Sequence, residues 1–275
     1  MKKIAFLGIP GSFSFIAAKK YFGNDVSLTG QKTVKNVFST LIQRQTQLGV
    51  VPIENSTTGS ILETYDQLME NNLQICGEVR LKIHHNLLVL EKNVNLKDVF
   101  KCYSHPQGII QCQKFFENHT WIEPETVGDT ATAAQMLASL KSRNAIAIAS
   151  GQTAKIYGLQ VLTKNIEDNK NNFTRFAVIR LEKNQSGNKA TIAFSVKHIP
   201  GSLFKAIKPY ADLGLNLTKI ESRPIFGKSW EYIFFIDFEI GTDLTKFMEM
   251  IKRMRKVTDT VTILGLYDKG KIYET

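Results

Sequence analysis

The sequence has few cysteines and no recognisable metal-binding spacing. Its 275 residues include only Cys76, Cys102 and Cys112, and no two of them form a C-x-x-C pair. An odd number of cysteines without that spacing argues against a disulfide framework and against a cysteine-ligated zinc site. The five histidines likewise lie outside H-E-x-x-H and related patterns. We therefore expect reduced, structural thiols and no metal site.

Long apolar runs are also missing. The N-terminal stretch MKKIAFLGIPGSFSF contains two lysines, but glycine and proline soon interrupt its apolar residues. It is too short for the core of a signal peptide or for a membrane span. The G-x-S-x-G elbow of the α/β-hydrolases is absent as well. These absences predict a cytoplasmic protein without a membrane partner, and they disfavour a serine hydrolase.

Negative charge is scarcer than positive charge, which leaves a formal net charge of +10. Such an excess suits nucleic acid, an anionic membrane or a small anionic substrate. The lysines are scattered along the chain, and the densest cluster, KRMRK at 252–256, lies in an amphipathic helical pattern without interleaved aromatics. That pattern favours a solvated helix face, so we predict no nucleic-acid partner.

The first ~180 residues alternate between strand and helix patterns, as in an α/β fold. Four strand-to-helix junctions carry small or hydroxyl residues, within GIPGSFS, ENSTTGS, SHPQG and IASGQ. Helix N-termini present unpaired N–H groups and a positive dipole end, so two of them facing one cleft could hold a dicarboxylate. Alternatively the hydroxyls are only N-caps, each stabilising its helix by ~1 kcal/mol. At any single junction the residues favour the cap.

The last third has a different organisation, and the polar stretch EKNQSGNK at 182–189 marks the boundary. Strand and helix patterns then follow in the order β-α-β-β-α-β, which is the ferredoxin-like unit. Pro209 lies inside the first of these helices and should kink it. The strand WEYIFFIDFEI is apolar on both faces, so both faces need cover, from its own helices or from a second subunit.

Two positions carry candidate chemistry. In KNNFTRF, Phe173 and Phe176 flank Thr174 and Arg175, and anchored phenylalanines would hold a donor and a carboxylate-binding guanidinium rigidly. The residues alone favour a plain strand-edge threonine and a surface arginine. His105 follows a predicted strand, where a side chain points into the cleft that strand ends enclose. A loop histidine and a cleft-lining residue are equally compatible with that position.

Seven motifs, in order along the chain, resemble those of the prephenate dehydratases, in which an ACT regulatory domain follows the catalytic region. The motifs are GIPGSFSFIAA, VPIENSTTGSI, SHPQGIIQC, DTATAAQML, NNFTRF, GSLF and NLTKIESRP. This sequence differs from the family pattern at a few positions: Ile9-Pro10 replaces Pro-x, Ser12 replaces Thr, Gly108-Ile109 replaces Ala-Leu, and Ser202 replaces Ala. Ser12 keeps the hydroxyl, whereas Ser202 adds one in what resembles the effector site.

The resemblance implies a fold and a domain division. It implies a two-lobed catalytic domain like the type 2 periplasmic binding proteins at 1–182, with lobe 1 at about 1–76 plus 156–182 and lobe 2 at about 77–155. A linker at 183–189 and an ACT domain at 190–275 would follow. It also implies the monofunctional form, because no chorismate mutase-like segment precedes residue 1, and a homodimer or homotetramer.

The resemblance further implies an activity, the conversion of prephenate to phenylpyruvate in phenylalanine biosynthesis, with loss of water and carbon dioxide and without a cofactor. Thr174 would assist the departing hydroxyl, and Arg175 would hold a carboxylate or orient the loop. Asn55, Ser56 and Ser12 would bind carboxylates through backbone N–H groups, with Asn55 and Ser56 counted as catalytic, and Glu54 could instead tie the turn. The implied substrate-binding residues are Gly11, Ser12, Phe13, Glu54, Thr57, His105, Gln107 and Phe176.

Phenylalanine would bind the ACT domain as an allosteric effector. The implied effector-binding residues are Gly201, Ser202, Leu203, Asn216, Leu217, Glu221, Ser222, Arg223 and Pro224. Two alternatives stay open: an arogenate dehydratase that gives phenylalanine directly, and a non-catalytic amino-acid sensor. No motif distinguishes prephenate from arogenate, while the Thr174-Arg175 pair speaks against a sensor.

Overall fold

The protein was analysed as a computed structural model that describes residues 1–225, 227–228, 230–241 and 243–275. The strands are β1 (Lys2–Leu7), β2 (Val26–Gln31), β3 (Leu48–Asn55), β4 (Gly59–Ser60), β5 (Gln74–Lys82), β6 (Asn86–Val89), β7 (Lys101–Ser104), β8 (Glu123–Thr126), β9 (Ala145–Ala149), β10 (Gln160–Thr163), β11 (Phe173–Arg180), β12 (Lys189–Ser195), β13 (Asn216–Pro224), β14 (Tyr232–Glu239), β15 (Thr260–Tyr267) and β16 (Ile272–Glu274). The helices are α1 (Phe13–Phe22), α2 (Val34–Ile42), α3 (Leu62–Asn71), α4 (Pro106–Ile110), α5 (Gln113–Asn118), α6 (Thr130–Leu140), α7 (Gly151–Tyr157), α8 (Ser202–Asp212) and α9 (Leu244–Met254).

The chain forms two compact units. The first contains residues 1–61, 79–176 and 271–275, and the second contains residues 62–78 and 177–270. Residues 62–78 join the second unit because Tyr65 packs on Phe235 with ring centroids 4.7 Å apart. The predicted boundaries at 182 and 189 separate the expected catalytic and ACT domains of the family, and they stay predictions.

The first unit contains two sheets, each flanked by helices. In one sheet the order is β5-β11-β3-β1-β2, with β1 parallel to both β2 and β3, and with β16 parallel to β5. The other sheet has the order β10-β6-β9-β7-β8. The expected two-lobed α/β architecture is confirmed. One detail differs, because residues 160–163, predicted for lobe 1, pair antiparallel with β6 in the second sheet.

Two segments connect the sheets, and we call them the crossover pair: residues 83–85 lead from β5 to β6, and residues 164–172 lead from β10 to β11. They are hydrogen-bonded to each other. The Ile83 N–H donates to the Asn172 carbonyl at 2.8 Å, and the Ile166 N–H donates to the His85 carbonyl at 2.8 Å. The Glu167 carboxylate accepts from the His85 N–H at 2.9 Å. Residues of both segments are therefore held in fixed positions where the sheets meet.

The core of the second sheet explains the sequence of β9, which is buried along its whole length. Its alanines pack with α6, whereas Ile146 and Ile148 pack on the opposite face with Cys102, Cys112 and Phe115. A strand covered on both faces is continuously apolar. Burial raises the pKa of both thiols.

The helix that the junction SHPQG predicts is interrupted. α4 ends at Ile110 and α5 begins at Gln113, so two short helices replace one. Buried Cys112 lies between them, where its N–H donates to the Ile109 carbonyl at 3.1 Å. The helical spacing of apolar residues runs through the interruption, which is why the sequence pattern does not reveal it.

The second unit contains the predicted order β12-α8-β13-β14-α9-β15, with antiparallel β13-β14-β12-β15. α8 continues through Pro209 as far as Asp212. The two apolar faces of β14 are both covered within the unit, since Phe238 lies in the core between the sheet and its helices while Phe235 packs on Tyr65 of α3. Among the described residues, no helix has the length and apolar character of a membrane span.

Candidate active site

The side chain of Asn55, at the end of β3, organises the strand-to-turn junction of VPIENSTTG. Its Oδ1 accepts the backbone N–H groups of Thr57 at 2.9 Å and Thr58 at 3.1 Å. The amide nitrogen must therefore point the other way, and it donates to Asn172 Oδ1 at 2.8 Å and to Thr174 Oγ1 at 2.9 Å. A buried Asn whose four hydrogen-bonding sites are so widely used has a single orientation.

Thr174 thus has a defined polarity. Its hydroxyl accepts from Asn55, an amide nitrogen that cannot accept in return. A hydroxyl has one donor and two acceptor sites, so the Thr174 proton is directed to a different group. Thr174 is half-buried on β11, while Phe176 beside it is fully buried and Phe173 half-buried. The burial of Phe176 is compatible with an anchored segment, and the role of the two phenylalanines stays a prediction.

Arg175 forms an ion pair with Glu54, from Nη1 to Oε2 at 2.8 Å. The two side chains are 11% and 29% exposed, so solvent screens the pair only in part. The pair connects β11 to the end of β3. This geometry fits the orienting role that the sequence left open for Arg175, and it fits a structural role for Glu54.

Ser56 uses its backbone N–H and its hydroxyl to connect the turn to β11 and to the residue that lies two positions before it. Its N–H donates to the Phe173 carbonyl at 2.8 Å, and its hydroxyl accepts the Phe173 N–H at 2.9 Å. The hydroxyl also donates to the Asn171 carbonyl at 3.1 Å. The expectation that the Ser56 N–H is available for a carboxylate is therefore wrong in this conformation, because the strand has already taken that donor.

Ser12 behaves as the helix cap that its position favours. Its N–H donates to the Ile9 carbonyl at 3.0 Å, and its buried hydroxyl accepts the Phe15 N–H at 3.3 Å. The hydroxyl donates to the Leu7 carbonyl at 3.0 Å. The Ser12 N–H is thus also occupied, which corrects the carboxylate-binding role expected of it.

The glycine-rich turn before α1 is fixed to α7. The Gly11 carbonyl accepts from the Thr153 hydroxyl at 2.8 Å, and the Pro10 carbonyl accepts from the Tyr157 hydroxyl at 2.8 Å. Gly11 has a φ of 96°, and a Cβ there would lie 3.2 Å from the Thr153 side chain, so glycine is required on both grounds. Phe13, next in the turn, lies edge-on to His85 with ring centroids 5.9 Å apart.

His105 caps α4, and its Nδ1 accepts the Gln107 N–H at 3.2 Å. Acceptance at Nδ1 places the proton of the neutral ring on Nε2, which becomes a donor. Burial lowers the pKa of His105, and the nearby Asp129 carboxylate opposes that shift only in part. At neutral pH His105 is therefore a neutral donor, and Gln107 beside it is exposed.

Gly108 packs directly against a buried serine. A Cβ at this position would lie 2.4 Å from Ser104 Oγ, which is fully buried and donates to the Ile148 carbonyl at 3.0 Å. The serine hydroxyl occupies the space that an alanine methyl group would need. In this chain the glycine and the buried Ser104 hydrogen bond are thus two parts of one packing arrangement.

Gln111 and Asn172 belong to the same constellation, although the sequence did not single them out. Gln111 Oε1 accepts from Asn172 Nδ2 at 2.8 Å and pairs with His85 Nε2 at 2.8 Å. A continuous chain of hydrogen bonds therefore runs from His85 through Gln111 and Asn172 to Asn55 and Thr174. The available signal was their position inside two motifs, SHPQGIIQC and NNFTRF.

The predicted effector residues lie in the second unit, at the start of α8 and along β13. A cavity of about 360 Å³ in this unit is lined by Ser202 and Leu203, together with His198, Trp230 and Tyr232. Arg223, another predicted effector residue, does not line this cavity and forms an ion pair with Asp66 of α3 at 2.5 Å. Among the described residues, no group of three His, Cys, Asp or Glu side chains could hold a metal ion.

Comparison with known proteins decides the family. The family model described as prephenate dehydratase matches residues 4–184, which is more than half of the chain. The chain belongs to the prephenate dehydratase family. It is 37% identical to a prephenate dehydratase from Methanocaldococcus jannaschii over 277 residues, covering 97% of this chain and 98% of that one. Membership of this family indicates that the protein is an enzyme.

Two solved structures share the whole fold. Prephenate dehydratase from Arthrobacter aurescens, in complex with L-Phe, has a TM-score of 0.85 and 25% identity, covering 97% of this chain and 90% of that one. GqqA, described as a novel type of quorum quenching acylase, has a TM-score of 0.85 and 26% identity, with 97% of both chains covered. The fold is thus that of the prephenate dehydratase family.

Proposed function

We propose that this chain is a prephenate dehydratase, a carbon-oxygen lyase that converts prephenate to phenylpyruvate, water and carbon dioxide. The observation that carries the proposal is the hydrogen bond from the Asn55 amide to Thr174 Oγ1 at 2.9 Å. It leaves the Thr174 proton as a donor on a half-buried strand, next to residues of the motifs that resemble the family. Membership of the family, across nearly all of the chain, supplies the substrate class.

The chemistry requires little more than orientation. As the ring carboxylate leaves as carbon dioxide, its C–C bonding electrons enter the ring, and the ring hydroxyl departs with its C–O electrons and gains a proton as water. Aromatisation drives this step, so the protein has only to hold the substrate and to stabilise the departing oxygen. A threonine hydroxyl is a weak acid, so Thr174 acts by hydrogen bonding to that oxygen or by relaying a proton from water.

The substrate's carboxylates need donors other than those first predicted, because the Ser12 and Ser56 N–H groups are occupied. We place the Nε2–H of neutral His105 and the exposed Gln107 amide in that role. Phe13 offers an apolar surface to the substrate ring, while Arg175 and Glu54 keep the turn after β3 against β11. Thr57, whose N–H binds Asn55, lines the same turn.

An acyl-transfer reaction is not favoured by this geometry. A nucleophilic hydroxyl must give its proton to a neighbouring base. Among the described residues, the Thr174 hydroxyl has a side-chain hydrogen bond only with the Asn55 amide nitrogen, which is itself a donor and cannot take that proton. The structural similarity to the acylase GqqA therefore does not support acyl transfer by this chain.

The proposed activity is tested directly with purified protein and prephenate. We expect phenylpyruvate and carbon dioxide in equal amounts, without added metal or cofactor, and only slow spontaneous conversion in a heat-denatured control. Arogenate is offered in parallel, with phenylalanine as the product. Conversion of arogenate alone would transfer the proposal to the arogenate alternative. Conversion of neither substrate by folded protein would favour a sensor.

We further propose that residues 190–275 form an ACT domain that binds phenylalanine, that 1–182 form the catalytic domain, and that the protein works as a homodimer or homotetramer in the cytoplasm. Support comes from the βαββαβ order, from the cavity lined by Ser202 and Leu203, and from the L-Phe bound to the Arthrobacter aurescens relative. The three cysteines, none in a disulfide, suit a reducing compartment.

Leu203→Glu should abolish phenylalanine binding, because it places a charge in this cavity. Calorimetric titration with L-phenylalanine and light scattering would measure binding and subunit number. Phe204→Glu is the matched control, since Phe204 is the next residue and is 64% exposed. Equal phenylalanine affinity in the wild type and in both variants would place the effector site elsewhere, and no binding by the wild type would remove the effector proposal.

A further inference from the structure

His85 lies outside every role considered so far, although it is built into the site. It is 2% exposed and belongs to the crossover segment 83–85. Its backbone is held at both polar atoms: the N–H donates to the Glu167 carboxylate at 2.9 Å, and the carbonyl accepts the Ile166 N–H at 2.8 Å. The ring is thereby fixed next to Phe13 and against Gln111.

The hydrogen-bond chain that starts at His85 permits one consistent order of donors. Gln111 Oε1 faces both His85 Nε2 and Asn172 Nδ2 at 2.8 Å, so the imidazole must donate from Nε2. Since the Asn172 amide nitrogen is turned to Gln111, its Oδ1 is turned to Asn55 and accepts there at 2.8 Å. The remaining hydrogen of the Asn55 amide then meets Thr174 Oγ1.

The Asn55 end of this series of hydrogen bonds is fixed independently, because the backbone N–H groups of Thr57 and Thr58 hold Asn55 Oδ1. The other end, Gln111 Oε1, is held by the His85 ring and by Asn172. Gln111 is half-exposed, and without the Nε2–H donor its carboxamide could turn and present NH₂ to Asn172. That turn would place two donors face to face, and Asn172 would then have to leave Asn55.

The protonation state of His85 suits this function. Burial lowers the pKa of His85, and the hydrogen bond to Gln111 and the Glu167 charge oppose that shift only in part. The Nδ1 atom has no hydrogen-bond partner among the described residues, so a charged ring would leave an N–H buried without an acceptor. The neutral ring with its proton on Nε2 is the form that the surroundings select.

We propose that His85 is a positioning residue for the dehydration: through Gln111 it holds Asn172 against the Asn55 amide nitrogen, and so it keeps that amide aligned on Thr174 Oγ1 and the Thr174 proton turned away from it. The inference rests on the proposed function of Thr174. It adds a residue from segment 83–85 to a site that already includes Asn172 from the other segment of the crossover pair.

His85→Phe tests the proposal, because it keeps a ring in the space and removes the Nε2–H donor. The substitution leaves Gln111 Oε1 without its partner on the buried side. We therefore expect kcat to fall by roughly tenfold to a hundredfold, with KM changing by less than about threefold. His85→Gln, whose amide reaches the place of Nε2, should recover part of kcat. His119→Phe is the control, because that ring stacks on Phe115 and bonds its carbonyl, outside the chain of hydrogen bonds.

A double-mutant cycle shows whether His85 acts through Thr174. In the Thr174→Ala background, His85→Phe should change kcat by less than about twofold. The same large loss in both backgrounds would overturn the proposal. An unchanged kcat in folded His85→Phe protein, or no recovery with glutamine, would also overturn it.

A second readout does not need activity. The side-chain NH₂ resonances of Asn55 and Asn172, assigned with Asn55→Asp and Asn172→Asp proteins, should shift in His85→Phe protein and stay in place in His119→Phe protein. Unmoved resonances would overturn the inference even in an inactive protein. Failure of the wild type to convert prephenate, with the resonances shifting as expected, would instead overturn the proposed function and leave the positioning geometry standing.

Discussion

Thr174→Ala should lower kcat for prephenate by roughly a hundredfold or more, with KM changed little, since proton donation to a reacting group typically contributes about 10²- to 10⁴-fold. The Asn55 amide would remain in place, held by the Thr57 and Thr58 N–H groups, so the variant removes the hydroxyl without removing the turn. Thr174→Val, which keeps the β-branched shape of the strand residue, should lose as much activity as Thr174→Ala. Steady-state kinetics by phenylpyruvate absorbance give both constants.

Thr174→Ser is the informative partner of these two variants, because it keeps the hydroxyl and loses only a methyl group. We expect it to retain activity within about tenfold of the wild type, the lost methyl group freeing χ1 to rotate. Thr126→Val, at an exposed position of β8, controls for hydroxyl loss in a strand. Near-normal turnover of folded Thr174→Ala protein would remove Thr174 from the chemistry.

Lys189→Met should cause the largest loss of stability in the second unit. Lys189 Nζ lies 2.6 Å from Glu78 Oε2, and the two side chains are 5% and 2% exposed. Removing one member of a buried ion pair typically costs about 3–5 kcal/mol, because the other charge remains buried. We expect a decrease of this size in the free energy of unfolding of this unit, measured in urea by circular dichroism together with hydrogen exchange of the β12 and β14 amides.

The matched control is Lys208→Met, which breaks an exposed pair with Asp212 on α8. Exposed pairs contribute about 0–1 kcal/mol, so its unfolding should change little. Adding Glu78→Gln to Lys189→Met should restore part of the lost stability, since the amide oxygen can still accept the Gly270 N–H. If the single and double variants were equally unstable, lost packing rather than the charge would explain the effect.

Sequence patterns predicted the features that depend on local chemistry. The hydroxyl of Ser12 caps α1, and the elements from Lys189 onward follow the predicted β-α-β-β-α-β order. Each of these depends on residues close together in the chain, whose spacing determines strand, helix or cap. The roles given to the individual site residues stay predictions until the variants are made.

Those patterns could not predict hydrogen bonds and packing contacts between residues that are far apart in the sequence. The backbone N–H groups expected to bind carboxylates are used within the chain, because the Ser56 N–H meets a strand that begins 117 residues later, at Phe173. The chain from His85 through Gln111 to Asn172 joins segments that are likewise distant in sequence. Residues 62–78 join the second unit for a similar reason, since no pattern in α3 shows that Tyr65 meets Phe235. Residue spacing can predict that a backbone N–H donor lies in the site, but only the folded structure shows whether that N–H already has an acceptor within the chain.

The short strand β16 has a consequence for the order in which the protein folds during synthesis. Residues 271–275 belong to the first unit, where Ile272–Glu274 pair with Arg80–Lys82 and Glu274 bonds His84 at 2.7 Å. Domains generally fold as they leave the ribosome, N-terminal ones first. Here the part of β5 next to the crossover pair cannot pair with β16 until the whole second unit has been synthesised. The first unit is therefore finished only after the second has been made, and a nascent chain carries an open strand edge next to its future active site.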